Sequence, residues 1–212
     1  MTEQAVHFHL GEVAAASHLV RTHHYSGLMP PSLSLVGTWH EQGGLFGDSG
    51  EAVAACVYRQ PSARWAEPVM ELARLVRVPG CDAPLSSLVA TTTKWVKRKG
   101  LADLVVSLAD STHNHHGGIY QACSWNYDGQ RSPRMDGVIV DGRYYAGRAA
   151  NHHWGTQSPD KLRSIGIAAE PHFDTGKHVY WRALTKTGRR QAEALGLQSC
   201  AYPKPDTLAM AS

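Results

Sequence analysis

Ser107, Asp110, His113, His115, His116 and Tyr120 fall within one stretch, Leu104 to Gly129, and most of these side chains can move a proton or ligate a metal. A carboxylate takes protons, a phenol gives them, and an imidazole does either. The stretch opens with an unbroken apolar run, Leu104–Val106, of the kind buried on both faces of a sheet. A polar turn follows, then Gly117-Gly118, then a helix-like segment, Ile119–Cys123, carrying Tyr120. Trp125 and Tyr127 close the run, and each, like Tyr25 far upstream, offers a flat ring on which a nucleobase could stack. Strand end, polar turn and helix start together make the kind of crevice in which α/β proteins place chemistry.

Three further groups invite a chemical reading. HHYSG, His23–Gly27, sits just past a helix-like segment, where Gly27 and Pro30-Pro31 forbid more helix. Its histidines either complement a helix C-terminus or supply a base. Glu71, Arg74 and Arg77 interrupt an apolar strand, Val69–Val78; pairing with neighbours is one role, binding at a site the other. Lys94, Lys97, Arg98 and Lys99 crowd the last turns of a helix closed by Gly100, which suits the helix dipole or a phosphate.

The elements that must position these groups follow from periodicity. Residues 5–10 alternate as a strand, and a helix with Val13, Ala16, Ser17 and Val20 on one face starts at Glu12. Strands are predicted at Leu33–Trp39 and Ala52–Tyr58 around a Gly-rich turn, with a loop at 61–68. Asp82 is placed to cap the next helix, with Pro84 in its first turn and Leu85, Leu88, Val89, Thr92, Trp95 and Val96 at helical spacing. A short strand is predicted near Trp125–Tyr127. Asp141-Gly142 between apolar runs predicts a hairpin. Ser158 is placed to cap a short helix at Pro159–Ser164, and a last strand starts at His178. A short helix follows from about Thr187. An antiparallel meander that meets a parallel, helix-bridged crossover implies a mixed sheet with helices on it, α/β or α+β.

With 212 residues, the chain can bury one good core. No apolar run reaches the roughly 18 residues of a membrane span. The N-terminus lacks a signal-peptide layout, so a soluble protein of the cytoplasm, with no membrane partner, is expected. Cys56, Cys81, Cys123 and Cys200 are scattered, which disfavours both a disulfide scaffold and a thiolate zinc site. Residues 1–130 hold 9 Lys/Arg against 11 Asp/Glu, and residues 131–212 hold 12 against 7. That lopsided charge suits a polyanionic partner for the second part.

HYSG (His24–Gly27), ELARL (Glu71–Leu75), SLAD (Ser107–Asp110) and HGGIYQACSWNYDG (His116–Gly129), taken in this order, resemble the Mom family of phage DNA-modification proteins. GRAANHHWGT and KHVYWRAL later in the chain are similar to the same group. These proteins are divergent members of the GNAT acyltransferase superfamily. The resemblance implies a mostly antiparallel mixed sheet, flanked by helices and splayed at its centre, between Val69–Val78 and 102–109. It implies residues 1–150 as a GNAT-like catalytic core, with 151–212 completing the sheet and adding a basic, DNA-facing surface, one domain overall. It implies conversion of adenine in duplex DNA to N6-carbamoylmethyladenine, which shields phage DNA from host restriction, in the cytoplasm of the infected bacterium. Oligomeric state stays open, with a dimer among the options.

By motif, the implied catalytic positions are His24, Tyr25, Asp110 and Tyr120, with Arg74 holding an anionic or amide part of the donor. Asp110 would accept from the N6 amino group of a flipped adenine, and Tyr120 would protonate a leaving group. Ser107 joins the donor-binding candidates. Iron is implied as a further cofactor, and a set such as His24, Asp110 and His116 has the two-histidine, one-carboxylate composition that suits Fe(II). One departure bears on acetyl-CoA. Where GNAT proteins carry a Gly-rich pyrophosphate loop, this chain reads Arg77-Val78-Pro79-Gly80-Cys81-Asp82-Ala83-Pro84. Two prolines remove backbone donors and Asp82 brings negative charge, leaving the hydroxyls of Ser86 and Ser87. A carbamoylmethyl group joins nitrogen to a methylene, which plain acyl transfer does not do, so the small-molecule donor is left unnamed. The rival readings are a GNAT acetyltransferase that uses acetyl-CoA on a small amine or protein, and a non-catalytic DNA-binding protein.

Overall fold

The computed structural model describes residues 6–42, 49–60, 69–113 and 115–203. The Gly-rich turn and the loop at 61–68 fall largely outside the described residues. The chain divides into two compact units, the larger formed by Met1–Leu108, Gly117–Gly129 and Val179–Ser212, the smaller by Ala109–His116 and Gln130–His178. This division does not follow the anticipated boundary at residue 150. The chain passes into the second unit twice, at Ala109 and at Gln130, and returns to the first at Gly117 and at Val179, so segments distant in sequence share a core.

The larger unit is built on a seven-stranded sheet. Its strands are β1 (Val6–Leu10), β2 (Leu33–Gln42), β3 (Ser49–Arg59), β4 (Val69–Arg77), β5 (Leu104–Asp110), β6 (Asn126–Gln130) and β10 (Lys177–Ala183), in the order β1-β2-β3-β4-β5-β10-β6. The first four pair antiparallel, while β4 and β5 run parallel. A parallel pair needs a crossover, and helix α2 (Leu85–Lys99) supplies it. Pairing of β4 with β5 covers only Val69↔Leu104 to Leu72↔Ser107, although β4 continues to Arg77. The splay predicted from the family resemblance therefore starts at Leu72 and Ser107.

Helix α1 (Val13–His23) packs Ala16, Leu19 and Val20 against Val36, Ala55, Val57 and Val76. Val13, expected on the inner face, is 45% exposed; Leu19 takes that role. Helix α2 buries Leu88, Val89, Thr92, Thr93 and Val96, and its Thr92 hydroxyl lies 2.8 Å from the Tyr58 hydroxyl. Each fully buried Leu or Val on these faces contributes roughly 1.5–3 kcal/mol. Asp82 does not cap α2: Pro84 is the N-cap residue and no side chain caps the helix. Gly100 ends it in the left-handed conformation, as predicted. Helix α6 (Lys186–Ala194), capped by Thr185, sets Ala192 against Val69, Leu104, Val106 and Trp181.

The smaller unit carries a three-stranded antiparallel sheet, β8-β7-β9, made of β7 (Met135–Val140), β8 (Arg143–Ala146) and β9 (Ala169–Phe173). The predicted hairpin joins β7 to β8, with Asp141 and Gly142 both at positive φ. Helices α4 (Gly147–Trp154) and α5 (Pro159–Ser164) accompany it; Ala150 and Leu162 pack with Val138, Val140 and Ala169. Ser158 caps α5 as expected, accepting from the Lys161 N–H.

Candidate active site

In the larger unit the polar groups gather where β4 and β5 part. Ser107 Oγ lies 2.8 Å from the Leu72 carbonyl and 2.8 Å from the Tyr120 hydroxyl. Ser107 has one hydrogen for two acceptors, the Leu72 carbonyl and the Tyr120 oxygen, and while it serves Tyr120 the phenol keeps its own O–H for another acceptor. Burial pushes the Tyr120 phenol well above its ordinary pKa; the Ser107 hydrogen bond opposes this, and the nearby Cys56 and Tyr25 add to it. The phenol is therefore neutral at physiological pH and able to act as an acid, not as a base.

Tyr120 rides on α3 (Gly118–Ala122), whose N-cap Gly117 adopts φ +80. A Cβ at Gly117 would lie 2.2 Å from the Tyr180 ring, so glycine is required there for both conformation and space. Tyr180 belongs to a row of rings: Trp125 to Tyr120 at 5.3 Å, Tyr120 to Tyr180 at 5.2 Å, Tyr180 to Tyr127 at 5.1 Å. Trp125 is 0% exposed and Tyr127 7%, so these two candidates for base stacking are committed to the core. Trp125 Nε1 finds no acceptor among the described residues. Tyr25, at 51% exposure, keeps its ring open to solvent.

The loop after α1 is held from both sides. Ser26 donates its backbone N–H to His24 Nδ1 at 3.1 Å, and the Ser26 hydroxyl lies 2.9 Å from the same nitrogen. The His24 ring packs 4.3 Å from that of Tyr25. Arg74 Nε donates to the Leu28 carbonyl at 3.0 Å, and Nη1 to the Ala73 carbonyl at 2.7 Å. An extra residue in β4, at Ala73, lets Arg74 pair with Val57 while Leu72 pairs with Tyr58. Such a bulge re-aims side chains. Arg74 thus anchors the His24–Tyr25 loop to the strand that forks from β5. Glu71, by contrast, is spent on Arg59 of the neighbouring strand, with contacts of 3.0, 2.9 and 2.8 Å.

At the start of α2, Pro79 and Pro84 lack N–H groups and the Cys81 N–H donates to Val78. Arg77 reaches the Ala83 carbonyl at 3.1 Å. Ser86 is half-buried; Ser87 and Asp82 are exposed. With two N–H groups missing and a third turned to Val78, this segment offers fewer amides to a pyrophosphate than a glycine-rich loop does.

In the smaller unit, Asp110 is 8% exposed. Its Oδ1 accepts the Thr112 N–H at 3.1 Å, an Asx turn, and Oδ2 lies 3.4 Å from Lys177 Nζ. Lys177 also approaches Asp174, at 3.6 Å. Sequence inspection misses Lys177, because it lies 67 positions beyond Asp110 at the head of a strand recognised only for its apolar residues. His113 and His115 lie 6.5 Å apart, ring to ring. Burial lowers the pKa of His178, and His116 lowers it further. Of the anticipated iron ligands, Asp110 already faces the Lys177 ammonium, and none of His24, Asp110 and His116 belongs to a group of converging donor atoms among the described residues.

Residues 7–204 match the Mom protein family. The chain belongs to that family. No curated protein matches the sequence. Among solved structures, this Mom-family chain is similar to NAA60 of Arabidopsis thaliana in complex with a bisubstrate analogue, at 9% identity and TM-score 0.50, over 84% of this chain and 98% of that one. It is similar also to the ribosomal-protein-S18-alanine N-acetyltransferase of Escherichia coli, at 8% identity and TM-score 0.48, over 85% and 95%. An acetyltransferase of Bacillus subtilis in complex with CoA aligns at 11% identity and TM-score 0.48, over 85% and 100%. At such identities the likeness is one of fold: a GNAT-like mixed sheet, mostly antiparallel and flanked by helices. Among the described residues, no helix is long and apolar enough to cross a membrane.

Proposed function

We propose that this Mom-family chain is a DNA-modifying transferase that converts adenine in duplex DNA to N6-carbamoylmethyladenine and so protects phage DNA from restriction. The observation that carries the reading is the fork between β4 and β5. Around it, within one unit, the Tyr120 hydroxyl is bonded to Ser107, and Arg74 anchors the loop of His24 and Tyr25. Of these five residues, His24, Tyr25, Arg74 and Tyr120 are the ones the family motifs single out there.

In this reading the target base leaves the duplex, at a cost of a few kcal/mol, because its amine is otherwise occupied in pairing. Tyr25, the exposed ring, stacks on it. A C–N bond forms between N6 and the methylene of the donor while N6 gives up a proton. By motif alone Asp110 is assigned the hydrogen bond from N6–H, and His24 is the alternative base. The neutral Tyr120 phenol protonates the departing group. Arg74 acts chiefly by holding the loop, and Ser107 orients the phenol. No step is assigned to CoA or iron. The exposed Lys94 and Lys97 on α2, and Arg189 and Arg190 on α6, form the basic surface suited to the DNA backbone.

The test is nucleoside mass spectrometry of plasmid DNA from cells that express the chain. The expected result is an adenosine derivative heavier by one carbamoylmethyl substituent, absent with Asp110→Ala. Unmodified DNA alongside soluble, folded protein overturns the proposal. The GNAT-like fold favours one other reading, acetyl-CoA-dependent acetylation, and tight acetyl-CoA binding by calorimetry with acetylation of an amine substrate selects it instead.

A further inference from the structure

Far from the fork, at the other end of α1, three side chains converge. His9 Nδ1 lies 3.0 Å from Glu12 Oε1, and His40 Nε2 lies 2.8 Å from Glu12 Oε2. The two imidazole rings are 4.4 Å apart. One donor atom from each residue falls within 4.8 Å of the other two, and this is the one such group of His, Cys, Asp or Glu side chains among the described residues. The elements explain the convergence. His9 on β1 pairs with Thr38 on β2, which puts His9 diagonal to His40 on the same pair of strands. Glu12 is the N-cap residue of α1, yet its side chain caps nothing. It is turned instead onto both histidines.

The hydrogen bonds at His40 leave a gap in the chemistry. Its Nδ1 lies 2.9 Å from the Gly50 carbonyl, which only accepts, so Nδ1 carries the proton. In the neutral ring Nε2 then presents a lone pair. The Thr38 hydroxyl, 3.1 Å away, can donate to it. Glu12 Oε2 cannot: a carboxylate oxygen 2.8 Å from an imidazole lone pair sets acceptor against acceptor. Something positive must lie between them. A second proton on His40 would serve, and so would a metal ion. The arrangement favours the metal. A backbone carbonyl that fixes the distal nitrogen is the usual support of a metal-bound histidine, since it sets the tautomer and orients the ring. The glutamate bridges two imidazoles, which a lone imidazolium does not require. Side-chain exposure of 31% at His9 and 36% at Glu12, against 8% at His40, leaves an entry path and room for a water ligand. Tetrahedral ligands at about 2.0–2.1 Å from zinc stand roughly 3.3 Å apart, so the present contacts need to open by only a few tenths of an ångström.

We propose that His9, Glu12 and His40 form a binding site for a divalent transition-metal ion of the zinc type, with three protein ligands and a fourth position open to solvent. The site clamps the β1–α1 junction onto β2. The 11 residues of α1 separate Glu12 from His24, a distance of about 18 Å along the helix, so the site stands apart from the fork and does not depend on the base-modification reading.

The test uses the full chain, free of any affinity tag and stripped with a chelator, titrated with zinc against a competing indicator dye, with cobalt(II) absorption as a second probe of geometry. One zinc per chain, a tetrahedral cobalt spectrum and a thermal midpoint that rises with zinc are expected. Glu12→Gln and His9→Gln should each weaken binding by at least about ten-fold and abolish the rise in midpoint. A chain with His113, His115 and His116 all replaced by Ala should bind as the parent does. Absence of a tight zinc equivalent in the parent overturns the proposal and leaves Glu12 holding an imidazolium. Retention of that equivalent in both single variants overturns it too, placing the metal on other histidines. Two variants are used so that a folding defect in one leaves the other to decide.

Discussion

Replacing Tyr120 by Phe separates the chemistry of the fork from its packing. The ring contacts at 5.3 Å to Trp125 and 5.2 Å to Tyr180 survive, because they involve the ring and not the hydroxyl. What is lost is one hydrogen bond, to Ser107, whose own hydrogen still satisfies the Leu72 carbonyl. No buried acceptor is orphaned, so the stability cost is about 0.5–1.5 kcal/mol. For a chain of this size that lowers the thermal midpoint by roughly 1–6 °C. Removing a general acid costs catalysis roughly 10²–10⁴-fold, or about 3–5 kcal/mol of transition-state stabilisation. The two magnitudes differ enough to be told apart. Modified adenosine per plasmid, measured by mass spectrometry over a time course of expression, reports the first; urea unfolding of the purified protein reports the second. Tyr180→Phe is the control, since it also removes a hydroxyl from the row, one that accepts from Gln121 at 3.0 Å. It should lose similar stability and keep modification. Wild-type modification by the Tyr120→Phe chain, or equal loss in the two variants, refutes the assignment of Tyr120 as the acid.

Three other outcomes follow from the same geometry. Gly117→Ala should cost about 2–5 kcal/mol by urea unfolding, because the new Cβ meets the Tyr180 ring at 2.2 Å and the backbone sits at φ +80; a change under about 0.5 kcal/mol contradicts this. Glu71→Gln should cost about 3–5 kcal/mol, since it leaves the Arg59 guanidinium beside a buried position with no counter-charge, and the shift in urea midpoint measures it. Burial and His116 depress the pKa of His178, so the unfolded chain binds the proton first as pH falls. The stability from the neutral ring is present above the usual imidazole range, near 6.5, and is lost as pH drops through it. The thermal midpoint should therefore fall between about pH 7.5 and about pH 5.5, and fall less in His178→Gln.

Local chemistry made much of the fold readable. The unbroken Leu104–Val106 run announced a doubly covered strand, and all three residues are 0% exposed. Asp141-Gly142 and Ser158 marked their turn and cap because those jobs need those residue types. The features that escaped are non-local. Strand β9 contains Pro171, which argues against a strand, and β9 is an edge strand, where proline is tolerated. Helix α4 has no side-chain N-cap to announce it. The extra residue at Ala73 and the Arg59–Glu71 pair depend on strand register, which a single strand does not encode. The same holds for the site. Tyr120 and His24 stood out by motif, whereas Tyr180, Lys177 and the His9–Glu12–His40 group come together only once strands far apart in sequence are aligned.

The single hydrogen on Ser107 has a consequence for timing. It can serve the Leu72 carbonyl or the Tyr120 oxygen, and at the Tyr120 oxygen it is in place to steady the anion that forms once the phenol has given up its own proton. In the proposed reaction the departing group takes the phenol proton, and the Ser107 hydrogen then turns from the Leu72 carbonyl to the new phenolate. A buried phenol that has given up its proton is thereby not left as a bare anion.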